Sequence, residues 1–347
     1  TSHHQTTLYT GNGSTRNIDQ DGNSTFQPDF VWIKNRGTTD SHKLYDATRG
    51  VQNELNIDST GAVTANANGL TSFDSDGFGL GTGAGGYNDD TENFVAYQWL
   101  AGGGSGSSNT DGTINTTTTT VNTTAGISIG TYTGTGSAAT IGHGLGVAPA
   151  MVLTKERTPG GHDWLLYHQF NTAAPETGAL APAGTAADSD FAGAWNDTAP
   201  TSTVFSIGTS AAHNESLKTC YYIAFAEITG FSKFGTYEGN GVDDGPFVYC
   251  GFKPAWVWIK NFDTAQEWHL YDNKRSTFNS GTVGGRKHFF TQGVAAEVSA
   301  SENVDFLANG FKMRDNNIGV NQANTMVFFA FAEHPFGGDG VTPATAV

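Results

Sequence analysis

The sequence predicts an all-β chain built as three tandem jelly-roll-like antiparallel β-sandwich modules. Three observations carry this expectation. Gly accounts for 46 of the 347 residues. Together with abundant Thr, Ser, Asn and Asp, it supplies the turns that join many short strands. Stretches rich in Ala, Leu, Glu and Lys at helical spacing are few. Finally, five marks recur in one order, four of them in three copies and one in two, which composition alone does not produce.

The first mark is a strand running into a glycine turn: Tyr9 to Gly13, Tyr132 to Gly136 and Tyr237 to Gly241. The second is a proline opening an apolar run that ends in lysine: Pro28 to Lys34, Pro149 to Lys155 and Pro254 to Lys260. Proline suits the first residue of a strand, where its missing N–H matters least. The third is an aromatic strand ending Tyr45-Asp46, Tyr167-His168 and Tyr271-Asp272. The fourth is an Asx-Gly turn between phenylalanines, at Asp76-Gly77 and Asn309-Gly310. The second copy, near Val204 to Ile207, lacks that turn. The fifth closes each unit with an aromatic strand at Phe94, Tyr222 and Phe329, preceded by Asn88, Asn214 and Asn321.

These marks divide the chain into modules at 1–101, 127–230 and 231–337, with a tail at 338–347. The run Phe30 to Ile33 is almost continuously apolar, so it reads as a strand covered on both faces or in the middle of a sandwich. Residues 102–126 read as a Gly/Ser/Thr-rich linker, or as an extended arm that adds to a neighbour's sheet edge. The second and third modules join almost directly, which predicts a fixed pair with a more mobile first module. A pseudo-threefold arrangement and a string of beads both remain open.

A formal net charge of −16 argues against nucleic acid and anionic membrane as partners. No apolar run is long enough for a membrane-spanning helix, so membrane insertion is not expected. Cys220 and Cys250 lie in apolar strands and read as buried free thiols rather than a disulfide.

Chemistry is sparse. Asp74-Ser75-Asp76-Gly77 looks like the start of a calcium loop, but Gly85 stands where the closing glutamate belongs. It reads as an Asx turn, with calcium in a lectin-like site as the alternative. No other metal or cofactor is expected. Glu227 and Glu333 recur at matching places, and recurrence points to architecture. Glu302 and Asp305 fall on opposite strand faces. No nucleophile elbow and no His-x-x-x-His pair is present, so the chain reads as a non-enzyme. His42, His168 and His269 read as buried rings. The remaining candidates for binding a glycan or a protein partner are Trp256 and Trp258, which share a strand face, and the recurrent cations Lys34, Lys155 and Lys260. The alternative readings are core packing for the tryptophans and an ion pair inside each module for the lysines.

The segments Phe26 to Arg36, Ser72 to Phe78 and Val95 to Gly104 resemble a repeat of virion proteins from marine and cyanobacterial tailed phages, usually labelled tail fibre or structural protein. Gly245 to Lys260 and Phe329 to Phe336 fit the same pattern. The second copy departs most, at Ala148 to Met151 and in an insertion over 172–200. The resemblance implies a concanavalin-like or related jelly-roll protein on the virion surface, acting as a fibre, spike or capsid decoration. It implies other virion proteins as partners, homo-oligomers, and contact with a host-surface glycan. A free-standing carbohydrate-binding lectin is the runner-up. A polysaccharide depolymerase comes last, because no carboxylate pair is evident.

Overall fold

The computed structural model describes residues 3–22, 25–83, 85–103, 105–279, 286–299 and 304–332. Glu302, Glu333 and the tail at 338–347 lie outside them. The fold is all-β. Helix among the described residues is limited to a 3-10 turn at Pro175–Thr177, α1 (Ala192–Trp195) and α2 (Ala211–Asn214). None is long and apolar enough to cross a membrane.

The first repeat holds β1 (His4–Thr10), β2 (Arg16–Asp19), β3 (Phe30–Asn35), β4 (Lys43–Asp46), β5 (Asn53–Asn56), β6 (Thr64–Ala65), β7 (Leu70–Asp74), β8 (Gly77–Leu80) and β9 (Asn93–Trp99). A large sheet runs β1-β9-β3-β4-β5-β6 and a small one β2-β8-β7. Central strand β3 pairs with β4 and β9. Its alternating side chains serve two cores. Val31 and Ile33 meet Ile18, Leu70, Phe78 and Leu80 between the two sheets. Phe30 and Trp32 point the other way, into a larger cluster. Burial on both faces is why this strand is apolar throughout.

The second repeat holds β10 (Thr118–Asn122), β11 (Ile127–Thr133), β12 (Ala139–Gly142), β13 (Met151–Glu156), β14 (Leu165–His168), β15 (Gly178–Ala179), β16 (Ser189–Asp190), β17 (Val204–Ile207) and β18 (Thr219–Phe225). Its large sheet runs β10-β11-β18-β13-β14, faced by the pair β12-β17. Where the turn signature is missing, Ala194 and Trp195 of α1 fill the core beside Phe205 and Ile207. The third repeat holds β19 (Ser232–Glu238), β20 (Phe247–Tyr249), β21 (Trp256–Asn261), β22 (Trp268–Asp272), β23 (His288–Phe290), β24 (Val304–Leu307), β25 (Gly310–Met313) and β26 (Thr325–Phe331). Its sheets run β19-β26-β21-β22-β23 and β20-β25-β24. Cys220 and Cys250 are buried and unbridged.

The opening and closing marks lock together identically. The Tyr9, Tyr132 and Tyr237 hydroxyls donate to the carbonyls of Tyr87, His213 and Val320, each the residue before the recurrent asparagine. The Asn88, Asn214 and Asn321 side-chain oxygens accept from the backbone N–H of Asn12, Thr135 and Asn240. The turn glycines Gly13, Gly136 and Gly241 adopt φ of +64°, +75° and +68°, a region that residues with a Cβ rarely enter.

All three large sheets turn their second face to one shared core. Phe30, Met151 and Trp256 open corresponding strands, and Trp99, Phe225 and Phe331 sit opposite them in register. All six line one apolar cavity of about 30 Å³. Equivalent side chains from three repeats therefore converge on one pseudo-threefold axis. This corrects the expectation of a mobile first module, whose sheet supplies Phe30, Trp32, Tyr97 and Trp99 to that core. The linker reading of 102–126 is corrected too. Its Thr run is strand β10, which pairs with β11 of the chain's own second repeat and bridges back to Ser107. Thr119 and Thr120 are buried there, so β-branched side chains have packing to gain from an extended backbone.

Candidate functional site

Lys34, Lys155 and Lys260 are the next-to-last residues of β3, β13 and β21, and all three are fully buried. The Lys34 ammonium donates to the Asn35 and Val294 carbonyls at 3.0 and 3.2 Å. Lys155 donates to Thr60 at 2.9 Å and to His162. Lys260 donates to Thr185 at 3.2 Å and to Asn261 at 2.6 Å. Val294, Thr60 and Thr185 each belong to a neighbouring repeat. The lysines thus staple first to third, second to first and third to second. Burial pulls each ammonium down to about 8, against the nearest carboxylates, Asp40, Asp163 and Glu267. Neither reading from sequence, a surface contact or an internal ion pair, describes them. Their partners are carbonyls across a seam.

Trp256 and Trp258 are also buried, at the axis. The Trp256 ring meets Trp32 and Trp99 of the first repeat at 6.2 and 5.7 Å. Trp258 lies 4.4 Å from Trp268. They present no face to an external glycan. The start of the aromatic strand completes the seams. Trp164 donates its indole N–H to Asn56, Trp268 donates to Gly184, and the His42 ring packs edge-on against Phe289.

Two seams bury a charge pair. Asp46 and Asp272 are each clasped by the arginine three residues on, Arg49 and Arg275. Each carboxylate also accepts from a tyrosine of the adjoining repeat, Tyr221 at 2.8 Å and Tyr97 at 2.9 Å. Burial opposes ionisation of Asp272, yet Arg275 holds its carboxyl below the usual range. At the third seam His168 replaces the aspartate. Its ring lies 5.0 Å from that of Phe329, and burial pushes its pKa down to about 3, so it is neutral.

One surface groove stands apart. It lies between edge strands β19 and β20 and is lined by Phe170, Lys233, Phe247 and Tyr249, with a volume of about 420 Å³. Phe170, Phe247 and Tyr249 are 50%, 45% and 64% exposed. β19 pairs only with β26 among the described strands. The alternation of Phe247, Val248 and Tyr249 is legible in sequence. Its juxtaposition with Phe170 of another repeat is not.

A family model described as a domain of unknown function, DUF7483, matches residues 1–335. The chain belongs to the DUF7483 family. Comparison with curated proteins and with solved structures gives no match. The DUF7483 match takes in all three repeats together, in keeping with a fold that closes around one core.

At the calcium-like turn of the DUF7483 chain, Asp74 pairs with Gly77 to close the β7–β8 hairpin. Asp74 accepts from the Ser72 hydroxyl at 3.2 Å. Among the described residues, the one His and carboxylate set at metal-ligand spacing is Glu156, His162 and Glu215. It combines side chains from distant segments, so no local motif marks it.

Proposed function

We propose that this DUF7483 protein is a non-enzymatic structural component of a virus particle, a fibre, spike or capsid decoration that acts through protein–protein assembly. The observation that carries the reading is the shared core. Three repeats spend their recurrent tryptophans and lysines on one another, and what remains for partners is an outer surface with an open sheet edge. β10 already covers the matching edge of the second repeat, so this fold accepts an added strand there. The open β19 edge, flanked by exposed aromatics, suits an extended segment of another virion protein or of a second copy. The virion context itself rests on the sequence resemblance. Mass spectrometry and cryo-EM of purified particles test it. Stoichiometric density with this fold is the expected result, and particles lacking the polypeptide would overturn it.

The groove favours a second reading, host-glycan recognition, because Phe247 and Tyr249 offer stacking faces beside the Lys233 ammonium. A glycan array with wild type and Tyr249→Ala tests it. Hits lost in the variant support this reading, and an array without hits removes it.

A further inference from the structure

We propose that Glu156, His162 and Glu215 form a binding site for a divalent first-row transition ion such as Zn²⁺ or Mn²⁺, bracing the second repeat where it meets the first.

One strand-end position carries a different side chain in the second repeat. Glu156 ends β13 where Asn35 ends β3 and Asn261 ends β21. Both asparagines are fully employed. The Asn35 side-chain oxygen accepts from the N–H of Gly37 and Thr38, and its amide donates to Asp40. Asn261 accepts from Asp263 and Thr264 and donates to Ile318. The second repeat has a carboxylate instead. Its side chain is 0% exposed, and neither oxygen has a hydrogen-bond partner. A buried carboxylate without donors is strongly disfavoured unless something else neutralises it.

What faces it is a ligand set. His162 Nε2 lies 3.8 Å from a Glu156 oxygen and 3.8 Å from a Glu215 oxygen. All three ligand atoms fall within 4.8 Å of one another. These gaps are too long for hydrogen bonds. They match two ligands sharing an ion at about 2.0–2.2 Å each, which stand up to about 4 Å apart. One imidazole nitrogen and only two carboxylates favour Zn²⁺ or Mn²⁺ over Ca²⁺ or Mg²⁺, which prefer all-oxygen shells. Two carboxylates balance the charge of a divalent ion. His162 and Glu215 are 40% and 39% exposed, which gives an ion a path in and leaves coordination positions for water.

The cations nearby do not fill this role. Lys155 is committed to the Thr60 and His162 carbonyls, and neither Lys155 nor Lys218 bonds Glu156. The loop carrying His162 is pinned to the first repeat. Gly161 donates to Thr60, and Val63 donates to Arg157, both at 2.8 Å. An ion here would tie that loop, β13 and the turn before β18 into one unit.

The test uses the full chain, stripped with chelator, and adds Zn²⁺, Mn²⁺ or Ca²⁺ separately in calorimetric titrations and thermal melts. The expected result is one Zn²⁺ or Mn²⁺ per chain with a raised Tm, and little response to Ca²⁺. His162→Ala, at an exposed position that leaves folding intact, weakens binding by about tenfold or more. Glu156→Gln abolishes the ion-dependent rise in Tm while raising the Tm of the stripped protein at neutral pH, because an unpartnered buried charge is gone. No stoichiometric binding, or binding unchanged in His162→Ala, would overturn the proposal and leave a proton shared by the two glutamates as the neutralising device.

Discussion

The seam between the first and second repeats and the seam between the third and second do one structural job with opposite chemistry. The former buries Asp46 against Arg49 and Tyr221. The latter sets a neutral His168 ring against Phe329. The difference follows from one residue three positions on. Where the chain has Arg49 or Arg275 it has an aspartate before it. Where it has Asn171, which turns to Asp188 instead, the aspartate is histidine. The fold therefore requires this position to be filled and satisfied, and it does not require a charge. A buried ion pair and a packed ring are interchangeable here only as complete sets.

Breaking a set should have the largest effect. Asp272→Ala takes the close carboxylate from the buried Arg275 guanidinium and leaves it only the longer contact to Glu297 at 3.4 Å, at a cost of about 3–5 kcal/mol in denaturant unfolding. A loss below about 1 kcal/mol would mean that water reaches this seam. His168→Asp places a carboxylate at the third seam without its arginine and should cost about 3 kcal/mol. Adding Asn171→Arg should recover much of that loss, and a double-mutant cycle reads the coupling. If the pair is no better than the sum of its parts, the comparison between seams fails. Tyr97→Phe removes one hydrogen bond to a charged acceptor and should cost about 1.5–3 kcal/mol. The reverse change at the apolar seam, Phe329→Tyr, should gain nothing.

The smallest expected effect is on pH dependence. Lys34, Lys155 and Lys260 titrate near 8 in the fold against 10.5 ordinarily. Above pH 8 the unfolded chain holds more protons at these sites than the folded one, so stability rises with pH. Cys220 and Cys250 oppose this above about 9. Burial raises their thiols, so the unfolded chain gives up those protons first. Three lysines outnumber two cysteines, so stability should rise from pH 8 through 9. It should turn over only as buried tyrosines such as Tyr9, Tyr97, Tyr132, Tyr221 and Tyr237, whose hydroxyl pKa burial raises, join the cysteines in opposing it. In a Lys34→Met, Lys155→Met and Lys260→Met triple variant the rise between pH 8 and 9 should vanish.

Much of the architecture was legible because the recurrent marks are local. The Tyr-x-Gly-x-Gly turn, the later asparagine and the doubly covered Phe30 to Ile33 strand each follow from a few neighbouring residues. The seams were not legible. Lys34 looks like any cation after a strand until Val294 of another repeat closes over it. Trp256 and Trp258 share a face, as expected, but that face turns inward because two other sheets supply its partners. The Thr-rich segment was ambiguous between linker and arm, and only a free β11 edge within reach decided it. The groove and the Glu156 site escaped for one reason. Phe170 meets Phe247, and His162 meets Glu215, only after separate segments have folded together.

Three repeats that share one core should unfold as one cooperative structure. Differential scanning calorimetry of the intact chain tests it most directly. The account predicts a single transition whose calorimetric and van't Hoff enthalpies agree. Two or three resolved transitions, or a calorimetric enthalpy well above the van't Hoff value, would mean that the repeats melt as separate domains and would contradict it.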